Sequence, residues 1–128
     1  MQANQPGVTS TEVAVLRAIR AQGLRPTRPH RVRLGASEVK PDLVFTRAKV
    51  AVFVNGCFWH ACRLHASWPR RNRLWWRSKL AATASRDARS ARALRRAGWS
   101  VITVWEHEHP QRGARRVRLK LQAQDQRR

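Results

Sequence analysis

Residues 50–68 read VAVFVNGCFWHACRLHASW, and this stretch decides the fold because an apolar run leads straight into polar and aromatic side chains. The run from Val50 to Val54 is rich in β-branched and aromatic residues, which predicts a buried strand. The residues after it carry an amide, two thiols and two imidazoles around an adjacent Phe-Trp pair. Turn residues usually follow a buried strand. These groups therefore either fill a small core or bind a metal and a partner.

The surrounding sequence predicts a sheet flanked by helices. The apolar runs over residues 43–45 and 50–54 are separated by Thr46-Arg47-Ala48-Lys49, which favours a β-hairpin. A capping box of Thr9 and Glu12 predicts a helix over residues 10–22 that Gly23 ends. The other predicted elements are a long helix over 72–97, a short helix over 114–124, and strands over 32–34 and 101–105. This order is typical of an α/β or α+β layout with a central sheet.

The long helix is predicted to pack through one apolar stripe, and Gly98 to end it. The stripe comprises Trp76, Leu80, Ala84, Ala88, Ala91 and Leu94. A chain of this length predicts one domain, with residues 1–8 as a flexible lead, 9–110 as the folded domain and 111–128 as a basic C-terminal helix or tail. No surplus apolar face is evident, so we expect a monomer.

The charge of the chain indicates a polyanionic partner. Its 128 residues carry 27 Lys and Arg against 7 Asp and Glu, a formal charge of +20, which favours nucleic acid over a small neutral substrate. An anionic membrane is the competing partner, but no stretch has the roughly 18 consecutive apolar residues of a membrane span. The N-terminus lacks the layout of a signal peptide. We therefore expect a cytoplasmic protein whose cysteines stay reduced.

Soft ligands are concentrated after the strand over residues 50–54. Cys57, Cys62 and His65 lie within one short segment, and His107 follows the strand over residues 101–105. Four nitrogen and sulfur ligands from two segments suit a tetrahedral structural zinc site. The alternative is that the two thiols lie in the core and the two imidazoles on the surface.

One acid stands apart from the others. Asp42 follows Pro41 and opens a strand, close to the end of the next strand, which carries Asn55 and is followed by His60. Such an acid could hold a hard divalent cation that keeps water ligands, and His60 could act as a general acid or base. The alternative is that Asp42 caps a turn after the proline. The simplest interpretation of Asp87, Glu106 and Glu108 is surface ion pairing.

Aromatic and basic side chains indicate contact with a nucleic acid. Phe58 and Trp59 lie in a polar loop and could act as a wedge between base pairs, whereas Trp76, Trp99 and Trp105 are predicted to be core. The second helix and its approach are predicted to bind phosphates through Arg70, Arg71, Arg73, Arg77, Lys79, Arg86, Arg89, Arg92, Arg95 and Arg96.

The segments PDLVF, VAVFVNGCFWHACRLHASWP, RDARSARALRRAGW and VITVWEHE together resemble the very short patch repair (Vsr) DNA mismatch endonuclease family over about residues 10–109. The resemblance implies a restriction-endonuclease-like fold, a mixed central sheet flanked by helices with a structural zinc site. It also implies an enzyme that nicks one strand of double-stranded DNA beside the thymine of a T:G mismatch and so starts repair, with other repair proteins as further partners.

The resemblance implies a role for each matching position. It assigns a magnesium site to Asp42 and the Val54 backbone carbonyl, and catalytic roles to Asp42, His60, Asn55 and Glu12. It assigns zinc to Cys57, Cys62, His65 and His107, and the DNA wedge to Phe58 and Trp59. Further DNA-binding positions are Arg70, Arg71, Arg73, Lys79, Thr83 and Arg86.

Three departures from the family pattern leave a second hypothesis open. Asn55 stands where the family usually has Asp or His, and it cannot take a proton. Thr83 stands where Asn is common, and residues 1–8 lack the usual basic side chains. The rival is a zinc-stabilised relative that binds distorted DNA without cutting it. A third class, a basic RNA-associated protein, explains the charge but not the cysteine and histidine pattern.

Overall fold

The computed structural model describes residues 10–27, 31–56 and 73–126. Within these ranges the helices are α1 (Ser10–Ala21), α2 (Arg73–Arg96) and α3 (Pro110–Gln126), and the strands are β1 (Val32–Leu34), β2 (Ser37–Val39), β3 (Leu43–Phe45), β4 (Val50–Asn55) and β5 (Ser100–Trp105).

The strands form a mixed sheet in the order β3-β4-β5 and a separate β1-β2 hairpin. β3 and β4 are antiparallel, with Leu43 opposite Val52. β4 and β5 are parallel, in a register that ends with Asn55 opposite Trp105. Both strands therefore finish at the same edge of the sheet, which places the residues that follow them side by side. The predicted hairpin and the predicted mixed sheet flanked by helices are confirmed.

Helices cover both faces of this sheet. Side chains alternate along each strand, so β4 presents apolar residues to both faces. Val50 and Val52 of β4 pack with α1 and α3 in one core cluster. Ala51 of β4 packs in a second cluster with Leu94 of α2 and with the β1-β2 hairpin. The buried residues Ala114 and Val117 make α3 part of the first cluster.

Four details differ from the sequence predictions. Of the α2 stripe, Leu80 and Leu94 are buried but Ala84 and Ala88 are exposed. The inner side of the helix is a narrow line whose residues recur every seven positions, and small alanines gain little from burial. β2 was not predicted, since its first residues, Ser37 and Glu38, are polar and exposed. α3 begins at Pro110 rather than at residue 114, where a proline fits the first helical position. Trp76, Trp99 and Trp105 are half-buried rather than fully core.

Gly23 and Gly98 end their helices as predicted, with φ of 83° and 91°, a left-handed conformation that glycine adopts without a Cβ clash. None of the helices that the structure describes combines the length and the apolar content needed to span a bilayer.

Candidate active site

The Asp42 carboxylate lies where β3 begins and is fixed against β4. The backbone N–H of Val54 donates to Asp42 Oδ2 over 2.7 Å, and the N–H of Asp42 itself donates to the Val52 carbonyl over 3.1 Å. The partner of the carboxylate is thus across the hairpin rather than in a local turn, so the turn-cap interpretation does not describe this residue. The backbone of two strands holds the acid at the sheet edge.

A second carboxyl group meets Asp42 from the first helix. Glu12 lies in the first turn of α1, where a negative side chain is favoured, and its side chain hydrogen-bonds to that of Asp42. Burial, this hydrogen bond and the nearby negative charges together raise the pKa of Asp42 from 3.8 to about 7, against the lowering effect of the Val54 N–H. The two side chains therefore bring negative charge together at this edge of the sheet.

Asp87 is a third acid near this pair, at a position that the sequence pattern did not predict. It is half-buried on the inner side of α2, and its charge contributes to the raised pKa of Asp42. It occupies the middle of the line from Leu80 to Leu94, both of which are buried. The signal that could have found it is the spacing of seven residues, which places an acid on the inner face of the helix. Asp87 thus belongs to the arginine-rich helix α2 but lies near the Glu12–Asp42 pair.

The end of β4 supplies backbone oxygen to the same place. In a strand the N–H and C=O of one residue point to the same side, so the Val54 carbonyl points toward Asp42 as its N–H does. Asn55, the last residue of β4, is buried, and side-chain alternation turns it toward α2. Its carbonyl accepts the Glu106 N–H over 2.9 Å. Val54 and Asn55 therefore frame the site from the sheet side.

These oxygens suit a hard divalent cation better than a transition metal. In the described part of the chain no group of three or more His, Cys, Asp or Glu side chains could hold a metal ion. Magnesium, however, needs only one or two carboxylates and keeps several waters. A positive charge would be stabilised where the side chains of Glu12 and Asp42 meet. The donor set thus fits magnesium.

His107 follows the end of β5, at the sheet edge where β4 also ends. It is exposed and stacks on Trp105, with ring centroids 6.3 Å apart and planes at 21°. A Cβ on Gly56 would lie 3.7 Å from Glu106 Oε1, so Gly56 and Glu106, the residues that directly follow the two strands, lie close together. The predicted site residues Cys57, Phe58, Trp59, His60, Cys62, His65, Arg70 and Arg71 lie outside the described residues.

A partly buried ion pair fixes the turn that carries His107. Glu108 accepts hydrogen bonds from the Trp105 N–H and from the guanidinium of Arg116, which also donates to the Thr103 carbonyl. Burial acts to raise the pKa of Glu108, but the hydrogen bonds from Arg116 and Trp105 outweigh it and lower the pKa. The surface ion pair predicted for Glu108 is confirmed as an ion pair, although its carboxylate is only 16% exposed. α3 thereby holds the end of β5 in place.

The basic α2 helix presents its cations to solvent. Arg73, Lys79 and Arg86 are exposed, whereas Thr83 is half-buried and donates to the Lys79 carbonyl. The ammonium of Lys79 lies 5.5 Å from the ring of Trp75, which is 54% exposed. The start of α2 therefore combines positive charge with an exposed aromatic ring, a surface that suits nucleic acid.

Comparison with known proteins gives this arrangement a family. A sequence model described as DNA mismatch endonuclease Vsr matches residues 1–66. The chain belongs to the Vsr family. It is similar to type II nicking enzyme V.NaeI of Lentzea aerocolonigenes, with 45% identity over 112 residues, 87% of this chain and 68% of the relative. Type II nicking enzyme V.XorIIP of Xanthomonas oryzae pv. oryzae is 37% identical over 114 residues, 88% of this chain and 80% of the relative.

A third relative carries the name of the family itself. DNA mismatch endonuclease Vsr of Escherichia coli K12 is 31% identical over 100 residues, 77% of this chain and 61% of the relative. The predicted Vsr family is confirmed, and with it the prediction of an enzyme, a DNA endonuclease. The individual residue roles stay predictions.

Proposed function

We propose that this Vsr-family protein nicks one strand of duplex DNA beside the thymine of a T:G mismatch by magnesium-dependent hydrolysis of a phosphodiester, and so starts very short patch repair. The observation that carries the proposal is the pairing of Glu12 with Asp42 at the strand edge, where the Val54 N–H holds the Asp42 carboxylate. A module that only binds DNA has no need of two half-buried acids in contact, because their partial burial destabilises the fold.

The Asp42 carboxylate and the Val54 carbonyl would hold the magnesium ion. When bound, the ion polarises the phosphate and stabilises charge on the leaving oxygen. Glu12 and Asp87 add negative charge around the same position. Asn55 completes the wall of the site as a neutral hydrogen-bonding group.

His60 is the proposed general base that takes a proton from the attacking water. It follows Asn55 by five positions in the sequence, on the segment that leaves the edge of the sheet beside the acids. Phe58 and Trp59 on the same segment are the proposed wedge, which would open a mismatched step at lower cost than a paired one. Preference for a mismatch would then follow from the energy of unstacking.

The proposed structural zinc would join the segments after β4 and β5. Cys57 is two positions beyond Asn55, and His107 is two positions beyond Trp105, whose strands pair in parallel register. Cys62 and His65 complete the tetrahedral set. Cys62→Ala should lose bound zinc and lower the melting temperature, and a variant with full zinc content and unchanged melting would refute this ligand set.

The exposed cations of α2, which include Arg73, Lys79 and Arg86, would contact the phosphate backbone. Arg70 and Arg71, which precede α2, would do the same, and Thr83 would lie near the bases. The proposal also includes a restriction-endonuclease-like fold, with one domain over residues 9–110 between a short lead and a basic C-terminal segment. The protein would act as a monomer on the bacterial nucleoid in the cytoplasm, and other repair proteins would be its partners.

The test is nicking of end-labelled duplexes that carry T:G or T:A at the same position, with magnesium and with Asp42→Ala as the control. Nicking of the T:G duplex alone, lost in the control, is the expected result. Equal cutting of both duplexes would leave a nuclease without mismatch preference. Salt-sensitive binding without cutting would favour the alternative, a non-cleaving DNA-binding relative, which the neutral Asn55 at the site edge also favours.

A further inference from the structure

A second basic surface lies on the side of the sheet opposite α2. Five exposed cations of α1 and α3 form it, and we name it the α1–α3 face: Arg17, Arg20, Arg112, Arg115 and Lys120. The two helices pack against each other over the same core cluster. Their outward residues therefore make one continuous surface rather than two separate patches.

The neighbouring inward cations have partners within the protein. Arg116 bonds to Glu108, and Arg118 donates to Gln22 over 2.9 Å. Among the described side chains, no acid pairs with a cation of the α1–α3 face. Glu12, the acid of α1, is bonded to Asp42 instead. In the part of the chain that the structure describes, the face thus presents positive charge that no ion pair offsets.

Two cations of the α1–α3 face lie where α3 itself does not benefit from positive charge. Arg112 lies in the first turn of α3 and Arg115 follows it closely, at the end of a helix where the macrodipole disfavours positive charge. These two positions therefore suit a negatively charged partner outside the chain better than they suit the helix.

One straight duplex cannot contact this face and α2 together. Two helix layers with a sheet between them separate the outer surfaces by roughly 30 Å. Duplex DNA has a persistence length of about 150 base pairs, so a short duplex does not bend around the protein without a large cost. A phosphate backbone bound through α2 therefore leaves the α1–α3 face open.

We infer that the α1–α3 face binds a second segment of duplex DNA through its phosphates while the first segment occupies the active site. The partner follows from the charge, because unpaired cations on adjacent helices fit a regular polyanion and release its counterions. The inference rests on the proposed function only for the identity of the first duplex. Its consequence is that one molecule can bridge or transfer between DNA segments.

The experiment compares two variants that lose the same charge. The face variant replaces Arg112, Arg115 and Lys120 by Gln, which keeps helix propensity. The matched control replaces Arg31, Arg33 and Lys40 by Gln, on and beside the β1-β2 hairpin on the other side of the sheet. A 16-base-pair T:G duplex on beads is loaded with protein without magnesium, and capture of a second, fluorescent duplex is then measured at several salt concentrations. Sedimentation gives the stoichiometry.

We expect wild type and control to capture the second duplex in complexes of one protein and two duplexes. The face variant should capture at least about ten-fold less, with a salt slope lower by about 2.7, that is about 0.9 for each of three lost phosphate contacts. Equal capture by the face variant, a single duplex per protein, or complexes that contain two proteins would overturn the inference. Nicking of the T:G duplex, measured in parallel, separates these outcomes from failure of the proposed function.

Discussion

Replacement of Asp42 by Asn should stabilise the protein while it abolishes nicking. The amide oxygen of Asn can still accept the Val54 N–H, and its NH₂ group can donate to Glu12. The variant therefore copies the protonated form of Asp42 at every pH. What it removes is the cost of an ionised carboxylate buried beside another acid.

The magnitude follows from the pKa of Asp42. The difference between an ordinary value of 3.8 and about 7 in the folded protein corresponds to about 4 kcal/mol, which is an upper limit for the effect on stability. The folded protein holds its proton more tightly than the unfolded chain, so wild-type stability should fall as the pH rises from 3.8 to 7 and then level off. The variant should therefore exceed wild type by about 2–4 kcal/mol at pH 8 and match it below pH 3.8.

Urea unfolding followed by tryptophan fluorescence between pH 3.5 and 8.5, at constant ionic strength, measures this difference. Glu38→Gln is the matched control, since Glu38 is an exposed acid paired with Arg31 and Arg33 and should change stability by less than about 0.5 kcal/mol. Magnesium at about ten times its dissociation constant should stabilise wild type at pH 8 by roughly 1.4 kcal/mol and the Asp42→Asn variant by much less. A variant less stable than wild type at pH 8, or a flat wild-type profile from pH 4 to 8, would refute the reasoning.

Three further predictions concern single side chains. Arg116→Met should lower the free energy of unfolding by about 1–3 kcal/mol in urea titrations, because the half-buried Glu108 loses its charged partner; an unchanged midpoint would contradict it. Gly113→Ala should lower the free energy of unfolding by about 1–3 kcal/mol, since the new Cβ would lie 2.7 Å from both methyls of Val104. Alanine alone would favour the helix, so a higher melting temperature would show that Val104 can move. His60→Ala should reduce single-turnover nicking by about 10²–10⁴ with DNA affinity nearly unchanged, and equal losses in both would rule out a catalytic base.

The parts of the fold that sequence predicts are the ones set by local pattern. The β3-β4 hairpin follows from two apolar runs and a short connection, and the helix ends follow from Gly23 and Gly98. The contact between Glu12 and Asp42 has no such signal, because it joins a helix start to a strand start and depends on how α1 crosses the sheet. The resemblance supplied both residues but not their shared hydrogen bond. Asp87 was missed for the same reason, since its partner lies on another element.

The few acids of this chain matter because short-range effects decide their protonation. A formal charge of +20 would be expected to favour ionised carboxylates, yet the pKa of Asp42 rises to about 7. Exposed cations more than about 8 Å away are largely screened at physiological salt, whereas burial and the contact with Glu12 act without intervening water. The surface charge can therefore attract a polyanion without neutralising the acids at the sheet edge. The proposed cation site would thus keep its negative charge beside a positively charged surface, so that one small domain could bind both phosphate and a divalent cation.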